Sequence, residues 1–380
     1  MRRGRPSRRR YPRRLSKRLW ASGLALLLTA CAAPAEPSPS AGAPNASSLA
    51  SPAASLSATP GSVPSQTAVA AEPMKWTQLD VDAPAAREDH TWTVDGDGRV
   101  AYLFGGRDGS TAFDDLWAYD LELDAWEQID ATPGPEGRFG HEAAWVDGVG
   151  LVVFAGQAGS SFFADLWAFW PPDGTWRQLP ANGDAPVARY GTCAAVGADG
   201  RLWISHGFTA DGSRFADTRA YDFGAQAWAD ETPDGAAPVE RCLHGCWWTD
   251  DGALALYAGQ TTGVTALGDR WLLSGGTWTE LNGALPPERN LYARARLDGA
   301  TLVFGGQALD GGYLADMWLL VDGRADAVPV QASGASPPGR AGAEMVRDAA
   351  RGRILLFGGR DVDGPRADLW VLTGGVAAGG

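Results

Sequence analysis

Residues Tyr102 to Trp126, YLFGGRDGSTAFDDLWAYDLELDAW, contain the pattern that decides the fold. An apolar run ends at Gly105-Gly106, a polar loop follows, and the loop ends at Asp115, two residues before Trp117. Most of this pattern returns five more times. The later equivalents of Asp115 are Asp165, Asp217, Asp269, Asp316 and Asp368, separated by steps of 50, 52, 52, 47 and 52 residues. The chain is therefore a repeat protein with several short strands per unit.

Each repeat has four predicted strands. The first follows an arginine, the second is an apolar run that ends at the glycine pair, the third contains Trp117 or its equivalent, and the fourth contains Trp126 or its equivalent. An apolar run of this length is typical of a strand that is buried on both faces. The six arginines at the repeat starts are Arg87, Arg138, Arg189, Arg241, Arg289 and Arg340.

The last repeat lacks its fourth strand, and a matching strand stands alone before the first repeat. The chain after Arg340 contains three strands, whereas Lys75-Trp76 resembles Ala125-Trp126 in the first repeat. Pairing the two ends of the domain would leave no exposed sheet edge between them. We therefore predict an all-β, six-bladed propeller with four antiparallel strands per blade, closed by the N-terminal strand around Trp76.

The repeat resembles the kelch repeat, which has a glycine doublet after its second strand and a spaced aromatic residue and tryptophan beyond it. The resemblance covers residues 75–373 and implies a kelch-type propeller. It also implies that the loop entering the innermost strand of each blade lies at the mouth of the central channel. Two blades depart from the pattern. Blade 3 has His206-Gly207 and lacks the tryptophan after Asp217, and blade 5 has Ala325-Asp326 where the fourth-strand tryptophan is expected.

The N-terminal region predicts export and attachment to a membrane. Residues 1–30 combine a basic segment with a short apolar run, as in a signal peptide. The run ends Leu28-Thr29-Ala30-Cys31, which resembles the lipobox of bacterial lipoproteins, so we expect lipidation at Cys31. Residues 31–74 are rich in Ala, Pro and Ser and predict a disordered tether. The propeller is expected at 75–375 and a disordered tail at 376–380, in an exported protein of the cell envelope, on its periplasmic or cell-surface side.

The charge balance excludes two classes of partner. The formal net charge is −13, and residues 1–30 carry ten of the basic residues and no acid, so the remainder has 22 basic and 45 acidic residues, or −23. An acidic surface repels nucleic acid and anionic lipid. We expect a monomer that contacts the membrane through its lipid anchor alone.

The six repeat-start arginines are the candidate binding residues. By the kelch resemblance they would ring the channel mouth, where guanidinium groups bind carboxylates and phosphates through two parallel hydrogen bonds. The alternative is a role within the repeat, because a residue present in every repeat is usually structural. In that case the partners would be neighbouring backbone carbonyls and carboxylates, and the nearby carboxylates are those of Glu88, Glu136, Glu142, Glu240 and Glu288.

Histidines and cysteines offer weaker candidates. His90, His141 and His244 each follow a repeat-start arginine by three residues, but other repeats have Thr192, Tyr292 or Ala343 there, so we predict no metal site and no cofactor. An exported protein meets oxidising conditions, and Cys193 is expected to pair with Cys242 or Cys246, unless all three remain reduced.

A binding role is favoured over an enzymatic one, because no nucleophile motif or phosphate loop is present. The leading hypothesis is a module that binds a protein or a glycan at the cell surface. The alternative is a sugar-modifying enzyme resembling the periplasmic kelch-type sialic acid mutarotases, with a glutamate as the acid–base group and an arginine on the sugar carboxylate. A purely structural spacer is the third possibility.

Overall fold

The computed structural model describes residues 73–375, which form six four-stranded blades around a central channel. The described part of the chain contains strands and turns but no helix, and so none that is long and apolar enough to cross a membrane. The predicted all-β, six-bladed propeller is confirmed.

The strands follow one another in the order that the repeats predict. Strand β1 (Met74–Leu79) comes first. Blade 1 has β2 (Thr91–Val94), β3 (Val100–Phe104), β4 (Leu116–Asp120) and β5 (Ala125–Ile129). Blade 2 has β6 (Glu142–Val146), β7 (Gly150–Phe154), a hairpin of β8 (Gln157–Ala158) and β9 (Ser161–Phe162), then β10 (Leu166–Trp170) and β11 (Thr175–Leu179). Strand β12 (Asn182–Gly183) precedes blade 3, which has β13 (Cys193–Val196), β14 (Leu202–Phe208), β15 (Arg214–Asp222) and β16 (Ala227–Asp230).

The second half of the ring repeats this order. Blade 4 has β17 (Gly245–Trp248), β18 (Leu254–Thr261), β19 (Val264–Ser274) and β20 (Thr277–Glu280). After β21 (Arg289–Asn290), blade 5 has β22 (Ala293–Leu297), β23 (Ala300–Phe304), β24 (Gln307–Ala308), β25 (Met317–Val321) and β26 (Val328–Val330). After β27 (Ala332–Ser333), blade 6 has β28 (Ala341–Asp348), β29 (Arg353–Asp361), β30 (Gly364–Pro365) and β31 (Leu369–Thr373).

Strand β1 closes the ring, as predicted. It pairs antiparallel with β31, with Trp76 opposite Leu372, and so supplies the fourth strand of blade 6. It begins at Met74, one residue before the predicted start of the propeller. Because β31 lies between β1 and β29, the first and last described strands share one sheet, and β31 is not left as an open edge.

The blades have two distinct ends. We call the top face the loops that enter the first, innermost strand of each blade and those that join its second and third strands. The bottom face consists of the tight turns that join the first strand to the second and the third to the fourth. Strand β1 is a fourth strand, so its N-terminal end, Met74, lies at the bottom face.

Aromatic residues fill the seams between neighbouring blades. Trp176 of blade 2 packs against Phe104 of blade 1, which immediately precedes the Gly105-Gly106 doublet, with ring centroids 5.2 Å apart. The same contact joins Trp228 to Phe154, Trp76 to Phe304 and Trp126 to Phe357, at 5.1, 5.7 and 5.2 Å. In these four seams, the tryptophan of a fourth strand therefore joins its blade to the one before it.

Blade 5 lacks the fourth-strand tryptophan, and an arginine of blade 4 occupies the seam between these two blades. Trp318 pairs with Pro329, whereas the equivalent Trp117 of blade 1 pairs with Gln128, two residues after Trp126, so the tryptophan position of blade 5 is Ala327 and not Ala325-Asp326. Arg270 of blade 4 is fully buried and crosses this seam, where its guanidinium donates to the carbonyl oxygens of Val321 and Arg324 at 3.2 and 3.0 Å. A long side chain from blade 4 thus spans the seam that has lost its indole.

Candidate functional site

The six repeat-start arginines lie inside the blades, each bound to the aspartate at the loop exit of its own repeat. Their exposed fractions are 0–1%. In blade 2, Arg138 Nη1 and Nη2 donate to the two carboxylate oxygens of Asp165 at 2.6 and 3.0 Å, and Nη1 also donates to the Ala155 carbonyl at 3.0 Å. The other pairs are Arg87–Asp115, Arg189–Asp217, Arg241–Asp269, Arg289–Asp316 and Arg340–Asp368.

A tryptophan completes five of these six pairs. The indole N–H of Trp167 donates to Asp165 at 2.8 Å, and Trp117, Trp271, Trp318 and Trp370 make the same bond in their blades. In blade 3, which lacks this tryptophan, Arg219 Nε donates to Asp217 at 3.2 Å instead. Burial acts to raise the pKa of Asp165, but the hydrogen bonds and the charge of Arg138, together with the hydrogen bond from Trp167, lower it. The repeat thus encodes an Arg–Asp–Trp unit that ties its loops to its sheet.

This placement corrects the expectation of an arginine ring at the channel mouth. Arg87, Arg138, Arg189, Arg241, Arg289 and Arg340 do not converge on the channel, and their donors are satisfied within each blade. Their partners are the loop-exit aspartates rather than the nearby glutamates. The arginines therefore stabilise the repeat and offer no open site to an anionic ligand.

The channel mouth is instead a closed ring of backbone hydrogen bonds. The residue two positions after each repeat-start arginine donates its N–H to the carbonyl of its counterpart in the preceding blade, at 2.8–3.2 Å, through all six blades. The members are Asp89, Gly140, Gly191, Leu243, Leu291 and Gly342. All six have positive φ, between 50° and 65°, which favours the three glycines and strains the other three residues.

The histidines lie in the seams between blades. The ring of His90 packs on Phe357 and that of His141 on Phe104, at 5.6 and 5.3 Å, and His244 packs on His206 at 5.4 Å. Burial lowers the pKa of His141 to about 3 and holds those of His90 and His244 well below the usual value, so these imidazoles are neutral. Within residues 73–375, no three His, Cys, Asp or Glu side chains are grouped as metal ligands.

Three charged side chains do meet in the channel. They are Glu142 of β6, Arg294 of β22 and Glu344 of β28, from blades 2, 5 and 6. Blades 2 and 5 are on opposite sides of the ring, and Arg294 Nη2 lies 3.5 Å from Glu142 Oε2, so this contact crosses the channel. The three residues separate an upper cavity of ≈ 60 Å³ from a lower cavity of ≈ 150 Å³, and they line both. We call them the channel triad.

Both carboxyl groups of the channel triad hold protons more tightly than usual. Burial raises the pKa of Glu142 to about 7, with Arg294 opposing the shift. Burial raises the pKa of Glu344 to about 8, again against Arg294 and with a further contribution from the charge of Glu142. The net charge of the channel therefore changes near neutral pH, from positive when both are protonated to negative when both are ionised.

The sequence profile of the KLHDC2/KLHL20/DRC7 Kelch-repeats domain matches residues 65–259. The chain belongs to the kelch-repeat family. A stretch of 137 residues of this kelch protein is 31% identical to tRNA wybutosine-synthesizing protein 4 of Emericella nidulans. The match covers 32% of this chain and 12% of that relative, so the chain spans a small part of the longer protein.

The top face of the kelch propeller carries a charged cluster at blades 1 and 6. Arg107 contacts Asp89 at 2.9 Å and Glu88 at 3.3 Å, while Arg360 contacts Glu88 at 2.7 Å. The side chains of Arg107 and Arg360 are 29% and 32% exposed, so both remain accessible from the loops that surround the mouth.

One disulfide joins two blades of the kelch propeller. Cys193 on β13 is bonded to Cys246 on β17, which is one of the two pairings expected from the sequence. Cys242 is a buried free thiol. The bond links the innermost strands of blades 3 and 4, the two strands that flank the seam where Trp278 meets His206 instead of a phenylalanine.

Several sequence predictions lie outside the described residues. These are the signal peptide 1–30, lipidation at Cys31, the tether up to residue 72 and the tail 376–380. The sequence reasoning also missed Arg294 and Glu344. The fourth and fifth positions after each repeat-start arginine lie on the innermost strand of the blade. At these two positions, the charged residues of the six repeats are Glu142, Arg294 and Glu344. That irregularity was the available signal.

Proposed function

We propose that this kelch propeller is an exported, envelope-anchored module that binds a protein partner through its top face. One observation carries the proposal. Of the seven large hydrophobic side chains that are exposed among residues 73–375, five lie at the top face, four on its loops and Val264 at the start of β19. They are Val187, Val239, Val264, Leu309 and Val362, and the other two, Leu123 and Val328, lie on the bottom face.

The chemistry of this surface fits a protein better than a glycan. The exposed residues are valines and leucines, and no aromatic side chain is among the exposed large hydrophobic residues of the described chain. Aromatic rings are the usual platforms for sugars, whereas aliphatic side chains within a polar surround are typical of protein interfaces. Arg107 and Arg360, beside Glu88, would supply the polar contacts around the apolar loops.

The channel gives a sugar-modifying activity less support. The Glu142–Arg294 pair has the residue types that such an enzyme needs, but it lies behind the hydrogen-bonded ring. The cavities beside it measure ≈ 60 and ≈ 150 Å³. A sialic acid, with its acetamido and glycerol substituents, is larger than the upper one, which has room for only a few water-sized atoms at about 10–15 Å³ each.

The matched experiment compares the two faces. A photo-crosslinking residue at Asp310, which follows Leu309 on an exposed top-face loop, is used in intact cells with three top-face substitutions, Val264→Asp, Leu309→Asp and Val362→Asp. The control carries Leu123→Asp and Val328→Asp on the bottom face. We expect a crosslinked partner in the parent and the control and its loss in the top-face variant, with equal melting temperatures. A partner that survives the top-face changes, or is lost in the control, contradicts the proposal.

Export and anchoring have a separate test. We expect the full chain to partition into detergent with the membrane fraction and Cys31→Ser to abolish lipid labelling. The first described strand, β1, begins at the bottom face, on the side of the propeller opposite the loops that are proposed to bind the partner. Recovery of the parent as a soluble protein without lipid would contradict anchoring, but not the binding role of the top face.

A further inference from the structure

The guanidinium of Arg294 has a longer contact with its carboxylate partner than the guanidinium of any repeat-start arginine. Its contact with Glu142 is 3.5 Å long, beyond the 2.6–3.0 Å of the Arg–Asp pairs in the blades. Charge-assisted hydrogen bonds to a carboxylate are usually about 2.7–2.9 Å long. The planar fork of Arg294 is thus without a bidentate partner among the described residues, although it lines a cavity in the middle of the channel.

The lower cavity has a second donor that lacks a partner. Trp247 lines this cavity and is 5% exposed, and its indole Nε1–H donates no hydrogen bond to any residue between 73 and 375. A buried donor without a partner carries a free-energy penalty unless a ligand or water satisfies it. Glu344 also accepts no hydrogen bond from a described residue. The guanidinium fork of Arg294 and the indole N–H of Trp247 therefore line the same cavity, and both can donate to a ligand bound there.

The remaining charged and titratable groups around the channel leave Arg294 as the available cation. Arg296 lines the lower cavity but pairs with Asp250 and Asp322. On the side of the upper cavity are Asp89, which pairs with Arg107, Tyr292, whose hydroxyl donates to the Tyr257 carbonyl, and the neutral His90, His141 and His244.

We propose that the lower channel cavity binds a small carboxylate, held by the guanidinium fork of Arg294 and the indole N–H of Trp247. The fork matches the two oxygens of a carboxylate, which a spherical ion does not. The cavity of ≈ 150 Å³ is large enough for acetate together with water. Protonated Glu142 and Glu344 add two O–H donors, whereas their ionised forms repel the ligand. The proposal is independent of the top-face partner.

The test titrates the full chain with acetate and follows binding by saturation-transfer NMR, with chloride at equal ionic strength as the competitor. At about pH 6, below the pKa values of both glutamates, acetate binds the parent. At about pH 9 the affinity falls by at least about tenfold, because both carboxyl groups are ionised. Arg294→Met and Trp247→Phe each weaken binding by about tenfold or more.

Two controls keep the test specific. Trp248→Phe removes the indole N–H of the next residue, which also donates no hydrogen bond to any residue between 73 and 375. Trp248 lines neither channel cavity. Arg347→Met removes an arginine paired with Asp298 on the bottom face. Both controls bind acetate like the parent. If Arg294→Met fails to fold, Trp247→Phe decides. No acetate binding by the parent at about pH 6, or parental binding by Trp247→Phe, overturns the proposal.

Discussion

Arg138 and Arg294 both lie in the interior of the propeller, but they differ in how fully their guanidinium groups are hydrogen-bonded. Arg138 is fully buried and makes two short bonds to Asp165, and its Nη1 and Nε donate to the carbonyl oxygens of Ala155 and Glu136. Arg294 has one contact of 3.5 Å and faces two cavities. The first belongs to a set of six, and the second occurs in a single blade.

The difference shows how repetition separates structure from function in a propeller. Each blade must solve the same packing problem, so a residue that all six blades share is part of that solution. The channel and the top face are formed jointly by all the blades, and a residue found there in one blade cannot be required for folding each blade. Glu142, Arg294 and Glu344 are therefore better candidates for binding than the six arginines that repeat.

The largest expected effect comes from removing one of the repeated arginines. Arg138→Met leaves the Asp165 carboxylate, which is 23% exposed, without its cation and the Ala155 carbonyl without a donor. We expect the free energy of unfolding to fall by about 3 kcal/mol. Arg294→Met should cost less, about 1 kcal/mol, because its contact is long and Glu142 can take up a proton instead of remaining as an unpaired charge. Urea unfolding at about pH 6 measures both, and equal losses would remove the distinction.

The hydrogen-bonded ring gives a second comparison, between two glycines of blade 2. A Cβ at Gly140 would lie 1.9 Å from Tyr190 Cε2 at a φ of +57°. Gly148 has a φ of +76° but nothing within 4 Å of its Cβ position. We expect Gly148→Ala to cost about 1 kcal/mol, from backbone strain, and Gly140→Ala about 2 kcal/mol or more, from strain and the clash together. Thermal unfolding of the two variants checks this, and equal melting temperatures would show that Tyr190 moves away freely.

The periodic features of the chain were sufficient to predict the fold. The recurring aspartate fixed the blade count, and the isolated Trp76 revealed the closing strand. The sequence suggests glutamates close to the arginines in the chain as their carboxylate partners. In the structure, each arginine binds an aspartate 27 or 28 residues further on. That constant separation was present in the sequence, but its meaning depends on the loop after the second strand returning to the start of the first.

The channel triad could not be predicted in the same way. Glu142 and Arg294 are 152 residues apart and meet because blades 2 and 5 face each other across a six-membered ring. The blade count predicts that blades 2 and 5 are opposite each other. It does not predict which side chains of the innermost strands point into the channel, because Glu142 and Arg294 stand at different positions after their repeat-start arginines. The ring of backbone hydrogen bonds had a partial signal in Gly140, Gly191 and Gly342, but Asp89, Leu243 and Leu291 take the same positive φ and hide it.

The smallest expected effect is a dependence of the free energy of unfolding on pH, which Glu344 in the channel causes and the repeated Arg–Asp pairs do not. Burial raises the pKa of Glu344 from 4.5 to about 8, so the folded protein keeps a proton that the unfolded chain has released. The stability from this proton is fully present at low pH and is lost as pH rises through about 8. Between about pH 7 and about pH 9 the loss is about 1 kcal/mol. The buried histidines and the aspartates of the repeated pairs are present in both the parent and a Glu344 variant, so comparing the two proteins removes their contribution to the pH dependence. Glu344→Gln cannot release a proton and should lose less stability over this range than the parent does. Parallel urea unfolding curves of the two proteins measure the difference. An equal loss in both proteins would mean that Glu344 ionises in the folded protein as readily as in the unfolded chain.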